Sequence, residues 1–116
     1  MIIAFFGVTC VGKTTIGRIV ANELQYGFFD VDDEMKLFYN DTIENIQRGC
    51  FGDGYDEKKG RVLKDILGRC GENAIIAMSP IYYTTKYKTM FKNYGVLSIV
   101  LEDSPENIAN RIIYTD

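Results

Sequence analysis

The sequence predicts an α/β fold, a parallel sheet held between layers of helices. Three observations carry that reading. A continuous apolar run, Ile2-Ile3-Ala4-Phe5-Phe6, opens the chain and fits a strand buried on both faces of a parallel sheet. Directly behind it stands Gly7-Val8-Thr9-Cys10-Val11-Gly12-Lys13-Thr14, with the spacing G-x-x-x-x-G-K-T. Strand-length apolar runs then alternate with helical-period stretches, the order that gives parallel strands joined by right-handed crossovers.

Element by element, Ile2 to Phe6 is the first strand, and Lys13 to Leu24 the first helix, with Ile16, Ile19, Val20 and Leu24 on one side at helical spacing. Gly27 ends that unit and Phe28 to Val31 forms a short second strand. Asp41-x-x-Glu44 has the form of a capping box and opens a short helix containing Ile43 and Ile46. The glycine-rich stretch Gly49 to Gly54 is a loop. A longer helix then runs from about Asp56 to Cys70, with Val62, Leu63, Ile66 and Leu67 apolar and Gly71 as its stop. Ala74 to Met78 is a third buried strand, broken by Ser79-Pro80. A polar helix spans Thr84 to Tyr94, and Val96 to Leu101 is a fourth, buried strand. Ser104 caps a last helix with Pro105 in its first turn.

A strand, a glycine loop ending in Lys-Thr and a helix make a P-loop in its required context. The expected fold is therefore of the P-loop NTPase type, a three-layer α/β/α arrangement. Gly7 and Gly12 let the backbone curl into an anion-binding nest. The residues expected to bind the nucleotide are Gly7, Val8, Thr9, Cys10, Val11, Gly12, Lys13, Thr14 and Thr15. Lys13 reaches the β- and γ-phosphates, and the Thr14 hydroxyl is a ligand for Mg²⁺. The implied ligands are ATP and Mg²⁺. The plain alternative is a glycine turn that only joins strand to helix. Ligands of such sheets bind at the carboxyl ends of the strands, and Asp30, Asp32 and Ser79 fall on that rim with the loop.

The composition removes several classes of function. The 116 residues are enough for one domain, and 47% apolar content is that of an ordinary globular protein. A net charge of -3 with no basic block argues against nucleic acid or an anionic membrane as partner. Histidine is absent, so a general base must be a carboxylate or another group. The three cysteines, Cys10, Cys50 and Cys70, read as reduced thiols in a cytoplasmic setting. Met1 to Val8 is too short for a signal peptide or a membrane span. No Asn-Lys-x-Asp motif supports guanine specificity, and Asp65-Ile66-Leu67-Gly68 lies within a helical pattern, so its match to D-x-x-G is a coincidence. Ile99-Val100-Leu101-Glu102-Asp103 is read as a strand leading into the Ser104 cap rather than as a metal-binding strand end.

Gly12-Lys13-Thr14-Thr15-Ile16-Gly17-Arg18, Phe29-Asp30-Val31-Asp32, Asp41-Thr42-Ile43-x-x-Ile46 and Leu101-Glu102-x-Ser104-Pro105-Glu106 with Arg111 together resemble the shikimate kinases, small P-loop metabolite kinases. The resemblance implies ATP-dependent phosphoryl transfer to a small-molecule hydroxyl. It gives Asp30 a water-mediated hold on Mg²⁺, Asp32 contact with the acceptor hydroxyl and its proton, and Arg111 a place against adenine. Lys13 and Asp32 are then the catalytic pair, and Thr14 and Asp30 the metal pair. For Asp30 to Asp33 the alternative is an acidic turn capping the next helix. For Arg111 it is a solvated helix arginine.

The chain departs from that family where the acceptor sits. A Phe-Arg pair whose arginine binds the substrate carboxylate is matched here by Tyr55-Asp56, with reversed charge, and three consecutive glycines by Met78-Ser79-Pro80. The family also continues into a mobile lid bearing an arginine, a last strand and an adenine-binding loop. The expectation is one domain over residues 1–116 that is C-terminally incomplete and lacks the last strand. The sheet edge so exposed is a place for a second copy or a partner. Two other functions remain open: a nucleoside or nucleotide kinase using Tyr55, Tyr82 and Tyr83 to stack a base, and a nucleotide-binding module without catalysis.

Overall fold

The computed structural model describes residues 1–7, 12–52, 54–78 and 85–101. Val8, Thr9, Cys10 and Val11 of the loop, Ser79, Pro80, Tyr82 and Tyr83 after the third strand, and Glu102, Asp103, the Ser104-Pro105 cap and Arg111 lie outside the described residues.

Four parallel strands form the sheet: β1 (Ile2–Phe6), β2 (Gly27–Asp30), β3 (Ala74–Ala77) and β4 (Val96–Val100), in the order β2-β3-β1-β4. Between them run α1 (Lys13–Leu24), α2 (Val31–Tyr39), α3 (Ile43–Arg48), α4 (Gly54–Arg69) and α5 (Thr85–Tyr94). The central strand β1 shows why its run is apolar throughout. Ile2 and Ala4 face a core built with α2, α3, α4 and α5, whereas Ile3 and Phe5 face a second one built with Ala21 of α1. Helices therefore cover both faces, and the three-layer α/β/α expectation holds.

The elements depart from the expectations in five places. Helix α1 turns its small residues, not its large apolar ones, to the sheet. Gly17 and Ala21 are buried and Val20 packs at the margin, while Ile16, Ile19 and Leu24 are 39%, 58% and 48% exposed. Close approach of a helix to a sheet selects small side chains: a Cβ on Gly17 would stand 2.8 Å from the Phe28 ring and 3.5 Å from Ile75. Gly17→Ala would gain about 1 kcal/mol of helix propensity to set against that crowding. Gly17→Val has no such gain, and overpacking of this kind costs about 1–3 kcal/mol. We expect it to lower the thermal midpoint by several degrees, read by circular dichroism.

Second, the residue that caps the end of α1 is Gln25 (φ 59°), whose N–H bonds back to Ala21 and Asn22, and Gly27 is not its stop but the first residue of β2. Third, β2 stops at Asp30 and Val31 already starts a helix, because the Asp30 side chain accepts the N–H groups of Asp32 and Asp33. Fourth, the cap of α3 is Thr42, which accepts from Asn45 N–H at 3.2 Å. Asp41 stands one residue before it and binds the Thr42 N–H and the Asn45 side chain, so the Asp41–Glu44 capping box does not form. Fifth, among the described residues β4 is an edge strand rather than a buried one, and Leu97 and Val100 are 47% and 63% exposed.

Helix α4 spans the D-x-x-G match, and Asp65 there pairs with Arg69 at 2.9 Å. Arg69 also reaches Glu34 of α2 and lies over the Phe29 ring. The joint between α4 and α5 rests on Tyr87, whose hydroxyl donates to the Asp56 carbonyl, with Gly60 giving it room. Burial, and then the Asp56 charge, push the Tyr87 phenol from 10.0 up to about 12. A group whose folded value is raised contributes stability that is present below pH 10 and is lost as the pH climbs toward 12. Tyr87→Phe should cost about 1 kcal/mol near neutrality, the worth of one hydrogen bond. It should also flatten the loss of urea resistance between pH 10 and 12.

Candidate active site

The carboxyl ends of β1 and β2 and the start of α1 come together on one rim. Gly7 (φ 149°) and Gly12 (φ 102°, ψ 19°) hold positive backbone angles that a side chain would strain, so the two fixed glycines of the motif are explained by conformation. Helix α1 starts at Lys13 without a side-chain cap and without an acid in its first turn. Its first N–H groups therefore keep their affinity for an anion. Lys13 donates to the Gly7 carbonyl at the end of β1. Thr15, one residue past Thr14, is solvent-exposed.

The Thr14 hydroxyl donates to Asp30 Oδ2 at 3.0 Å. The other oxygen of Asp30 caps α2, accepting from the N–H groups of Asp32 at 3.0 Å and Asp33 at 3.2 Å. The two readings of Asp30 thus coexist: one oxygen builds the turn and the other is held at the phosphate-loop threonine. Asp33 is exposed and pairs with Lys36 at 3.2 Å, so it turns away from the rim. Asp32 does the opposite. Its Oδ1 is buried and has no hydrogen-bond partner among the described residues. A buried acceptor without a donor is rare in folded proteins, and a water or a ligand hydroxyl would satisfy it.

The wall facing Asp32 comes from α4. Tyr55, Lys59, Val62, Leu63, Ile66 and Leu67 follow one helical stripe, and Lys59 is only 3% exposed. Its ammonium sits 4.5 Å over the Tyr55 ring. Burial pulls the Lys59 pKa below its ordinary value; the Asp32 and Asp56 carboxylates act against that shift, and the nearby Lys13 adds to it. Burial, and next the charge of Asp32, raise Tyr55. Tyr55, Asp56 and Lys59 therefore share one electrostatic neighbourhood with Asp32. Sequence reading missed Lys59 because no motif marks it. The signal was the apolar stripe of α4, which continues one turn back from Val62 and Leu63 onto a lysine.

Among the described residues no three His, Cys, Asp or Glu side chains cluster as a metal cage. Mg²⁺ does not need one, since it keeps waters and takes substrate phosphate oxygens, so a threonine hydroxyl and a carboxylate 3.0 Å apart fit it. Among the described residues, too, no helix is long and apolar enough to cross a membrane.

The fold and this rim define an α/β protein of the P-loop class. The shikimate kinase family model matches residues 9–116. The chain belongs to the shikimate kinase family. A shikimate kinase of Alkaliphilus oremlandii is 28% identical over 110 residues, covering 95% of this chain and 64% of that protein. The crystal structure of the Bacteroides thetaiotaomicron shikimate kinase matches with a TM-score of 0.85 at 20% identity, over 98% of this chain and 64% of that one. The Acinetobacter baumannii shikimate kinase in complex with shikimate matches with a TM-score of 0.83 at 23% identity, over 98% and 63%. The chain thus spans less than two thirds of the length of each of these relatives.

Proposed function

We propose that this chain carries the phosphate loop and the acceptor-facing wall of a kinase that transfers the γ-phosphoryl group of ATP to a hydroxyl of a shikimate-like small molecule. The observation that carries the reading is the Thr14 Oγ1–Asp30 Oδ2 contact at 3.0 Å on the same rim as the orphaned Asp32 Oδ1. It supports the reading because the two residues expected to hold the metal touch each other, and the residue expected to meet the acceptor follows two positions later in the chain.

In this reading the backbone from Gly7 to Gly12 and the first turn of α1, Thr15 included, surround the phosphates, and Lys13 exchanges the Gly7 carbonyl for the β- and γ-oxygens. Thr14 and Asp30 would hold Mg²⁺, directly and through water. Charge neutralisation on the phosphate oxygens is what that ion supplies when bound. Asp32 orients the acceptor hydroxyl and accepts its proton as the acceptor oxygen bonds to the γ-phosphorus and the bond to the β,γ-bridging oxygen breaks, releasing ADP. Arg111 keeps its sequence-based place beside adenine. The same reading takes residues 1–116 as one kinase-type domain in a cytoplasmic setting.

The test is calorimetric titration with ATP, with and without Mg²⁺, followed by a transfer assay over shikimate, gluconate and nucleosides. Magnesium-dependent ATP binding with turnover of an acid acceptor is the expected result. Turnover of nucleosides alone would favour the nucleoside kinase alternative. Absence of nucleotide binding to folded protein would overturn the proposal.

A further inference from the structure

Helix α4 carries a second stripe besides the apolar one. Glu57, Gly60, Arg61 and Lys64 recur at intervals of three and four residues, so they share one side of the helix. There α5 packs alongside, and these residues together with Met90 line a cleft of about 280 Å³. Gly60 is buried at its base: a Cβ on it would stand 3.4 Å from the Tyr87 hydroxyl, the group that ties α5 to the Asp56 carbonyl. Met90, partly buried at the margin of the core, is the apolar wall. Glu57, Arg61 and Lys64 are exposed at the mouth.

The charges of this cleft are not matched within the fold. Glu57 and Arg61 stand in the favourable order for a helix ion pair, four residues apart. Yet among the described residues neither Arg61 nor Lys64 has an ion pair or a hydrogen bond. An exposed cation is ordinarily content in water. These two, however, put like charges one turn apart beside a concave site with an apolar wall, in a chain whose net charge is -3. An anionic group between them exchanges repulsion for two charge-assisted bonds, and the carbon body behind it displaces water from Met90.

We propose that this cleft is a binding site for a small organic anion, its carboxylate or phosphate held by Arg61 and Lys64 and its carbon body laid on Met90 and Gly60. The volume lies at the lower end of small-molecule sites, which start at about 300 Å³, so the ligand is a compact acid and not a nucleotide. Glu57 offsets one of the two cations, which selects a single anionic head over a polyphosphate. The site stands on the far side of α4 from Ile66 and Val62 and does not depend on the kinase reading.

The chain has four methionines, so methyl-labelled methionine makes Met90 directly readable by NMR, with Met90→Leu identifying its signal. The probes are hexanoate and hexyl phosphate, with hexanol and hexylammonium as controls. One or both anions should shift the Met90 methyl saturably, with a Kd on the order of 1 mM, and the tighter of the two tells a carboxylate ligand from a phosphate ester. Hexanol and hexylammonium should bind about tenfold more weakly or not at all. Arg61→Gln and Lys64→Gln should each weaken the anion about tenfold, and Arg61→Lys should keep most of the affinity. Both side chains are exposed, and a thermal melt of each variant checks that it folds. Lys13→Ala should leave the Met90 response unchanged, which separates the cleft from the phosphate loop. The proposal is overturned if neither anion moves Met90, if hexanol does so equally well, if the response survives Arg61→Gln combined with Lys64→Gln, or if Lys13→Ala removes it.

Discussion

Asp32→Asn should lower kcat by about 10²–10⁴-fold, the usual worth of a positioned general base, while leaving the Kd for MgATP within about twofold of wild type. The substitution keeps the shape of the side chain and removes its ability to take a proton. Asp32 Oδ1 is buried with no partner among the described residues, so few protein contacts are lost with the change. The cap of α2 is untouched, because Asp30 rather than Asp32 accepts its N–H groups. Stopped-flow phosphoryl transfer and calorimetric ATP titration on the same preparation separate the two effects. A variant that loses nucleotide affinity as severely as it loses turnover would show that Asp32 belongs to the metal–phosphate assembly, and its assignment to the acceptor would fall.

Lys13→Ala should instead lower both quantities, a loss of ATP affinity together with a fall in kcat of about 10²–10³-fold, the scale seen when one donor to a charge-bearing transition state is removed. Lys13 donates to the Gly7 carbonyl, which holds its ammonium at the end of β1. Without it the helix dipole and the backbone N–H groups still attract an anion, but no mobile charge follows the γ-phosphoryl group. Retention of full turnover in Lys13→Ala would remove the phosphate loop from the mechanism.

The parts of the chain that could be read correctly are those where one physical demand dominates. The apolar run of β1 and the glycine-lysine-threonine loop bracket the first βα unit, and its bounds fall where the sequence places them. Helix α4 was legible because its apolar period is long and Gly71 (φ 76°) stops it. Helix α2 was not, because Val31 favours strands and the following acids look like a turn, whereas the Asp30 side chain starts the helix without any connecting loop. The inner face of α1 was hidden for a different reason: close packing on a sheet is decided by the smallest side chains, Gly17 and Ala21, and an apolar pattern weights the largest. The exposure of β4 depends on strand order, which is set by crossovers and not by the composition of the strand itself. At the site, the phosphate-loop residues and Asp30 could be found by motif. Lys59 could only emerge once α4 was folded against the rim.

The register of β1 also governs how the chain acquires its structure. Ile2 pairs with Ala74 on one side and with Val96 on the other, so β1 has no neighbour to bond until the segments around Ala74 and Val96 have been made. At about 5–20 residues per second that delay is of the order of several seconds. Parallel pairings of such long separation are slow to form and leave an apolar strand unprotected meanwhile. The nascent chain should therefore gain from chaperone shielding of β1 until β3 has been made, and Gly7, at the end of β1, should take up its place only when β3 has closed beside it.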